Sequence, residues 1–146
     1  RSTLFPYTTL FRSMTAASMI ILWNSADMTV RLTLVNGDNR ADYEWSAERN
    51  LARDMLAYLR DRLAEQGASF RDITGIGVFR GPGSFTGLRI GITVLNTIAH
   101  EQNIPIVGAA GSDWQADCLA RLESGANDKI VLPEYGAPAR ITKPRK

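Results

Sequence analysis

The sequence predicts an α/β protein built on one mixed sheet of about five strands, with helices packed on it. Three observations carry this prediction. Apolar runs with a hairpin signal open the chain, an amphipathic helix follows, and a strand–loop–helix–strand unit comes next. Hairpin strands pair antiparallel, whereas strands joined through a helix normally pair in parallel, so the sheet is expected to be mixed.

The first three strands are predicted from residue pattern. Met19 to Trp23 is apolar throughout, as in a buried strand, and Thr29 to Val35 alternates apolar with polar residues. Asn36-Gly37-Asp38 is a strong hairpin signal. A third strand is expected around Ala41 to Trp45.

The clearest helix is predicted from Glu48 to Gln66. Apolar residues recur four apart along one side, and charged residues occupy the other side. Gly67 is expected to end the helix. The apolar stripe consists of Leu51, Met55, Leu59 and Leu63.

The middle of the chain carries the strand–loop–helix–strand unit. Ile76 to Phe79 has the length and composition of a strand, and Gly81 to Ser84 ends it because proline cannot donate to a ladder. Thr86 is predicted to cap a helix from Leu88 to Gln102. Ile104 to Val107 then forms the second strand of the unit.

The helix after Thr86 is apolar around more than half of its circumference, at about 100° per residue. One apolar face is enough to cover a sheet, so the surplus predicts a second covering surface. That surface is either the Glu48–Gln66 helix or another chain, and Gly91 would let a backbone approach closely. The predicted partner-binding residues are Ile90, Gly91, Val94, Leu95 and Ile98, with Met55 and Leu59 of the preceding helix.

Size and composition limit the possible organisation. The chain has 146 residues, 45% of them hydrophobic, which suits one core and not two full domains. The single cysteine, Cys118, excludes an internal disulfide and is typical of a reducing compartment, so we expect a cytoplasmic protein. No apolar run approaches the roughly 20 residues of a membrane-spanning helix.

The two ends differ from the body of the chain. Residues 1–18 are interpreted as a leader, and Arg1 to Ser13 resembles a translated cloning-adapter sequence; a native leader without fixed structure is the alternative. Residues 111–132 are predicted to hold a short helix from Ser112 to Ser124 and a small strand at Ile130 to Leu132. Ser112 or Asp113 is expected to cap that helix.

Charge is unevenly distributed between the body and the ends. The net charge is +2, from 17 basic and 15 acidic residues. When the basic residues of the leader and of the tail at 133–146 are left out, 11 basic residues remain against 15 acidic residues, a net charge of about −4. An acidic body argues against a dedicated nucleic-acid-binding domain. The basic tail either contacts a phosphate backbone or an acidic partner, or is simply solvated.

The loop after the middle strand also carries a family resemblance. The run Gly81-Pro82-Gly83-Ser84-Phe85-Thr86-Gly87-Leu88-Arg89-Ile90-Gly91 resembles the signature of the TsaB family of threonylcarbamoyladenosine biosynthesis proteins. This family belongs to the actin-like, ribonuclease H-like ATPase superfamily. The resemblance is strong over Gly75 to Gly108 and looser over Met19 to Ile73. It implies one actin-like lobe at residues 19–110, with residues 111–132 in the place of a second lobe.

The resemblance implies a non-catalytic subunit of the complex that makes N6-threonylcarbamoyladenosine next to the anticodon of tRNA. The expected partners are a TsaD-like transferase, which this chain would stabilise through helix–helix pairing, and a TsaE-like ATPase. ATP and Mg²⁺ would be handled by these partners, and tRNA would be reached through the complex. A homodimer through the same helix and a small ATP-hydrolysing enzyme that uses the Gly81–Thr86 loop and Asp27 are the alternatives.

The Gly81–Thr86 loop, with Gly87 and Arg89, is the candidate anion site, because a glycine-rich turn before a helix presents free N–H groups. It has neither the Walker A nor the Gly-x-Gly-x-x-Gly pattern. Pro82 also stands where a nucleophile elbow around Ser84 would need glycine. We favour the interpretation that these glycines shape a tight crossover.

No catalytic residue and no metal site are predicted. His100 is the single histidine and Cys118 the single cysteine, and neither has a partner at ligand spacing. Superfamily members place an aspartate at the end of the first strand to help bind metal–nucleotide between two lobes. The corresponding residues here are Trp23-Asn24-Ser25. Asn24 or Asp27 could substitute in part, but tryptophan cannot ligate Mg²⁺.

Overall fold

A computed structural model describes residues 18–134, so most of the predicted leader and tail lie outside the described residues. The described chain forms a five-stranded mixed sheet with three α-helices, which confirms the predicted fold class. The strands are β1 (Met19–Asn24), β2 (Thr29–Asn36), β3 (Asn39–Ser46), β4 (Ile73–Phe79) and β5 (Ile106–Ala109). The helices are α1 (Leu51–Glu65), α2 (Phe85–Gln102) and α3 (Trp114–Glu123), with 3-10 turns at Glu48–Asn50 and Phe70–Asp72.

The strands lie in the order β3–β2–β1–β4–β5. β1 pairs antiparallel with β2 and parallel with β4, and β4 pairs parallel with β5. The predicted hairpin joins β2 to β3, and Gly37 adopts a φ of 63°, a conformation that favours glycine. The parallel strands bring the residues after Asn24, Phe79 and Ala109 to one edge of the sheet, where the signature loop lies.

Two unequal layers of helix cover the sheet. Successive strand residues point to opposite faces, so Ile21 and Trp23 face the large core under α1 and α2, whereas Leu22 faces α3. The smaller core under α3 is formed by Leu22, Val35, Val107, Trp114 and Cys118. No helix within residues 18–134 has the length and apolarity needed to cross a membrane.

Aromatic contacts fix the rotation of α1 on the sheet. The ring of Tyr58 on α1 stacks on Trp45 of β3 with centroids 4.3 Å apart, and Arg62 lies 5.1 Å above the Tyr58 ring. Leu56 is two residues away, about 200° around the helix, so it lies on the side of α1 that faces away from β3. Leu56 is 53% exposed.

Two predicted boundaries were wrong by two or three residues. α2 begins at Phe85, so Thr86 lies inside its first turn and is not its cap; Ser84 occupies the cap position and makes no side-chain cap bond. β5 begins at Ile106 and not at Ile104. Ile104 instead follows the C-cap of α2: Asn103, at the cap position, has a positive φ of 56°, and the Ile104 N–H donates to the Ala99 carbonyl.

The helix predicted at residues 48–66 opens with a 3-10 turn, and regular α-helix begins only at Leu51. The helix predicted at residues 112–124 begins at Trp114, after Asp113 at the cap position, which makes no side-chain cap bond. Both helices lie where their apolar periodicity predicted them, so the differences concern their ends.

The chain after α3 returns along the outer edge of β5, and we call residues 126–134 the edge segment. The N–H of Asp128 donates to Ile106, and the side chains of Asn127 and Asp128 accept the N–H groups of Ile106 and Gly108. The strand predicted at 130–132 is absent from the described residues. Its peptide groups bond to side chains instead: Asn96 on α2 both donates to and accepts from Val131, which is buried.

Candidate functional site

The signature loop joins β4 to α2 and packs on residues from both ends of the described chain. The N–H of Ser84 donates to Ala26, in the turn after β1, over 2.7 Å. The N–H of Glu134, at the end of the edge segment, donates to Arg80 over 2.7 Å. Gly81 has a φ of +128°, and a Cβ there would lie 2.0 Å from the Glu134 carbonyl oxygen. Glycine is therefore required at this position.

Three glycines spaced four apart, Gly83, Gly87 and Gly91, bring the start of α2 against the turn after β1. A Cβ on Gly83 would lie 2.4 Å from the Cβ of Ala26, and one on Gly87 would lie 2.3 Å from the Ser25 carbonyl oxygen. A Cβ on Gly91 would lie 2.4 Å from both the Ser25 hydroxyl and the Trp23 indole nitrogen. The space that these glycines leave is filled by the chain's own turn.

A buried hydrogen-bond bridge crosses this glycine contact. The indole Nε1–H of Trp23 donates to the Ser25 hydroxyl over 3.0 Å, and that hydroxyl donates to the Gly87 carbonyl over 2.7 Å. Trp23 is fully buried and Ser25 is 1% exposed. We call this the Trp23–Ser25–Gly87 bridge.

The residues at this edge do not fit a magnesium–nucleotide complex. The indole of Trp23 points into the core, and the side-chain oxygen of Asn24 accepts the N–H of Ala26. The carboxylate of Asp27 accepts the N–H of its own neighbour, Met28. Within the described residues, no group of three or more histidine, cysteine, aspartate or glutamate side chains is arranged to hold a metal ion.

His100 and Cys118 lie far from the signature loop in the fold. His100 is exposed near the end of α2, and Cys118 is buried under the sheet, where its thiol lies 3.9 Å from the Val107 carbonyl. Burial raises the pKa of Cys118 to about 11, so the thiolate is scarce at neutral pH. This position is typical of a packed core residue.

The predicted partner-binding residues separate into two groups. Met55, Leu59 and Leu95 are completely buried within the chain's own core, and Gly91 and Ile98 are also buried. The reason is that α1 itself covers part of the surplus apolar surface of α2, while Trp23 occupies the space beside Gly91. Only Ile90 and Val94 of this set keep partly exposed side chains.

These two residues belong to a groove on the solvent side of α2. The groove has a volume of about 320 Å³. Phe85 at its end is 53% exposed, and the Arg89 guanidinium lies 5.4 Å above the Phe85 ring. We call this groove the outer face of α2; it consists of Phe85, Thr86, Arg89, Ile90, Thr93 and Val94.

A second groove continues the outer face toward α1. It has a volume of about 380 Å³ and shares Thr86 and Ile90 with the first. Its far wall is formed by the turn after β1 and by the 3-10 turn before α1. Met28 lies in the turn after β1 and is 65% exposed. Sequence reasoning placed Phe85 in the loop and gave Met28 no role; single apolar residues beside a loop carry no periodic signal.

Comparison with known proteins shows that the chain is similar to proteins named for the synthesis of threonylcarbamoyladenosine in tRNA. The family model of TsaD, tRNA N6-adenosine threonylcarbamoyltransferase, matches residues 45–115. The TsaB protein of Escherichia coli strain K12 is 32% identical over 96 residues, which cover 66% of this chain and 36% of that protein. The TsaB protein of Bacillus subtilis strain 168 is 30% identical over 88 residues, covering 60% and 38%.

The fold agrees with these sequence matches. YeaZ from Pseudomonas aeruginosa superposes with a TM-score of 0.61 at 27% identity, over 75% of this chain and 51% of that chain. The matched region thus spans between about a third and a half of the length of these relatives. The signature run, the related sequences and the shared fold together show that the chain is similar to TsaB proteins.

Proposed function

We propose that the chain is a non-catalytic subunit in the synthesis of threonylcarbamoyladenosine in tRNA, and that it binds and stabilises a TsaD-like transferase through the outer face of α2. The observation that carries this proposal is the pair of adjoining grooves: Phe85, Ile90 and Val94 line the first, and Met28 lines the second. Exposed apolar side chains grouped in one groove are typical of a protein interface.

The family matches supply an argument for the kind of partner. The TsaD family model matches residues 45–115, a range that contains both α1 and α2. A TsaD-like protein is therefore expected to carry an equivalent helix pair, and two such pairs can pack helix against helix. On α1, Leu56 is a further exposed apolar residue, on the side away from β3.

The chemistry of the reaction is assigned to the partners in this proposal. The loop and the end of β1 offer no fitting set of oxygen ligands for Mg²⁺, so ATP and Mg²⁺ would be used by the transferase and by a TsaE-like ATPase. Contact with tRNA would come through the complex, in the cytoplasm. Self-association through the same face is the competing outcome.

The test is co-purification with the TsaD-like transferase of the same organism, followed by titration calorimetry. We expect a one-to-one complex, and Val94→Asp should weaken it roughly 30-fold or more because a charge would be desolvated in the interface. Phe85→Ser is a second variant, at a more exposed position that the core does not need. Circular dichroism before titration shows that each variant is folded.

Ile130→Asp is the matched control, because Ile130 is an equally apolar residue, 65% exposed, on the edge segment outside the groove. It should leave the affinity unchanged. Folded Val94→Asp and Phe85→Ser proteins that bind as tightly as the unmodified chain would contradict the proposal. Light scattering of the chain alone would reveal a homodimer, and a homodimer that ignores the transferase would also contradict it.

A further inference from the structure

We infer that Trp23 and Ser25 are positioning residues, which hold the first two turns of α2 in the orientation that presents its outer face to a partner. This inference rests on the proposed function. Its basis is the Trp23–Ser25–Gly87 bridge, in which the Ser25 hydroxyl accepts from the Trp23 indole and donates to a backbone carbonyl 62 residues further along the chain.

The bridge adds a bond that neither the sheet nor the helix requires. The Gly87 carbonyl lies in the first turn of α2, where a helical carbonyl accepts one N–H from four residues ahead and retains a second lone pair. Ser25 uses that second lone pair. The neighbouring Ser84 N–H donates to the Ala26 carbonyl, so two hydrogen bonds join the start of α2 to the turn after β1.

The position of the bridge relates it directly to the outer face. At about 100° per residue, Ile90 and Val94 lie within roughly 60° of Gly87 around the helix axis, on its solvent side. A shift or rotation of these turns would therefore displace the outer face by a similar amount. Pairing of two helix surfaces depends on such placement, because ridges must fit grooves.

Each residue has a distinct part in the bridge. The indole N–H of Trp23 fixes the rotamer of Ser25, so that the Ser25 hydroxyl proton is left for Gly87. Ser25→Ala removes both bonds and leaves a buried indole donor without its acceptor. Trp23→Phe keeps most of the packing and removes one bond. Ser25→Thr retains the hydroxyl and is the rescue variant.

The experiment measures two quantities on each variant of the full chain: affinity for the TsaD-like transferase, and amide hydrogen exchange. For Ser25→Ala, which removes both bonds of the bridge, we expect affinity to fall about tenfold or more. Exchange should accelerate at residues 85–91 and not in β2. Trp23→Phe should give a smaller change of the same kind, and Ser25→Thr should restore both readouts.

Thr33→Ala is the matched control, because it removes another buried hydroxyl, on a strand that does not contact α2 through this bond. The Thr33 hydroxyl donates to Asp42 on β3 over 2.6 Å. It should leave the affinity unchanged. Unchanged affinity in Ser25→Ala, or a loss accompanied by equal acceleration of exchange throughout the core, would overturn the inference. If the unmodified chain fails to bind the transferase, the proposed function fails, and unchanged exchange at residues 85–91 in Ser25→Ala would separately refute the bridge.

Discussion

At the residue scale, glycines set how closely α2 approaches the end of β1. Gly87 and Gly91 lack the side-chain atoms that would strike Ser25 and Trp23, and the fully buried indole fills the space between helix and sheet. Protein interiors are packed to nearly crystalline density, so one added carbon at such a contact must move its neighbours.

Gly91→Ala tests this contact. The new Cβ would lie 2.4 Å from the Trp23 nitrogen and the Ser25 oxygen, a distance that real contacts do not reach. We expect the free energy of unfolding to fall by about 1–3 kcal/mol from overpacking, although alanine alone would favour the helix by about 1 kcal/mol. Urea denaturation measures the change.

Thr97→Ala supplies the comparison, because Thr97 lies exposed on the same helix. It should change the free energy of unfolding by less than about 1 kcal/mol, in the stabilising direction. A stabilised Gly91→Ala protein would mean that α2 does not lie as close to Trp23 as the structure has it.

At the element scale, the edge segment protects the free edge of β5 without being a strand. The side chains of Asn127 and Asp128 accept the N–H groups that a further strand would bind, and buried Val131 anchors the segment against α2. An uncovered parallel edge would be open to pairing with other chains. Arg121 of α3 holds Asp128 from the other side through two nitrogens.

This anchoring should depend on pH. The hydrogen bond from Arg121 lowers the pKa of Asp128 below its ordinary value, and the Gly108 N–H acts in the same direction. A carboxyl with a lowered folded-state pKa contributes its stability above the unfolded-state pKa, near 4, and loses it as the pH falls toward the folded-state pKa. The contribution is therefore complete at pH 7.

Asp128→Asn removes the charge and retains the shape. At pH 7 the variant should be less stable than the unmodified chain by about 1–2 kcal/mol, since both the ion pair and a charged hydrogen bond are weakened. Urea denaturation at a series of pH values should show this difference shrinking below about pH 4. A difference that stays constant down to pH 2.5 would contradict the assignment.

At the scale of the whole molecule, residues 18–134 form one actin-like lobe whose loop glycines are used for internal packing. The end of β1 carries a buried indole in a region where superfamily members are expected to have a metal-binding aspartate. We therefore expect titration calorimetry of the chain with Mg-ATP to show no saturable heat. A phosphate-release assay of the same mixture should show no hydrolysis. Micromolar binding with turnover would favour the alternative of a small ATP-hydrolysing enzyme.

Much of the fold could be predicted because it rests on local patterns. The alternation in β2, the Asn36-Gly37 turn and the four-residue spacing of apolar residues in α1 each depend on neighbours in the chain. Helix ends were predicted less well, since they depend on contacts with distant residues: Ser84, at the cap position of α2, makes no side-chain cap bond and donates its backbone N–H to Ala26.

The candidate site was predicted in composition and not in orientation. The signature run and the surplus apolar surface of the second long helix were visible in the sequence, and so was the absence of a histidine or cysteine partner for catalysis. Periodicity shows that a helix is apolar on two sides, but it cannot tell which side its own chain covers. Met55 and Leu59 were thus assigned to a partner although they are buried in the core.

The sequence by itself determined the order of strands and helices, the family signature and the excess of apolar surface, because these follow from residues close together in the chain. Only the tertiary structure decided that Gly91 receives Trp23, that Asn127 and Asp128 close the sheet edge, and that Phe85, Ile90 and Val94 share the exposed groove. The physical reason is that such contacts join residues dozens of positions apart, and their geometry exists only once the sheet and helices have packed.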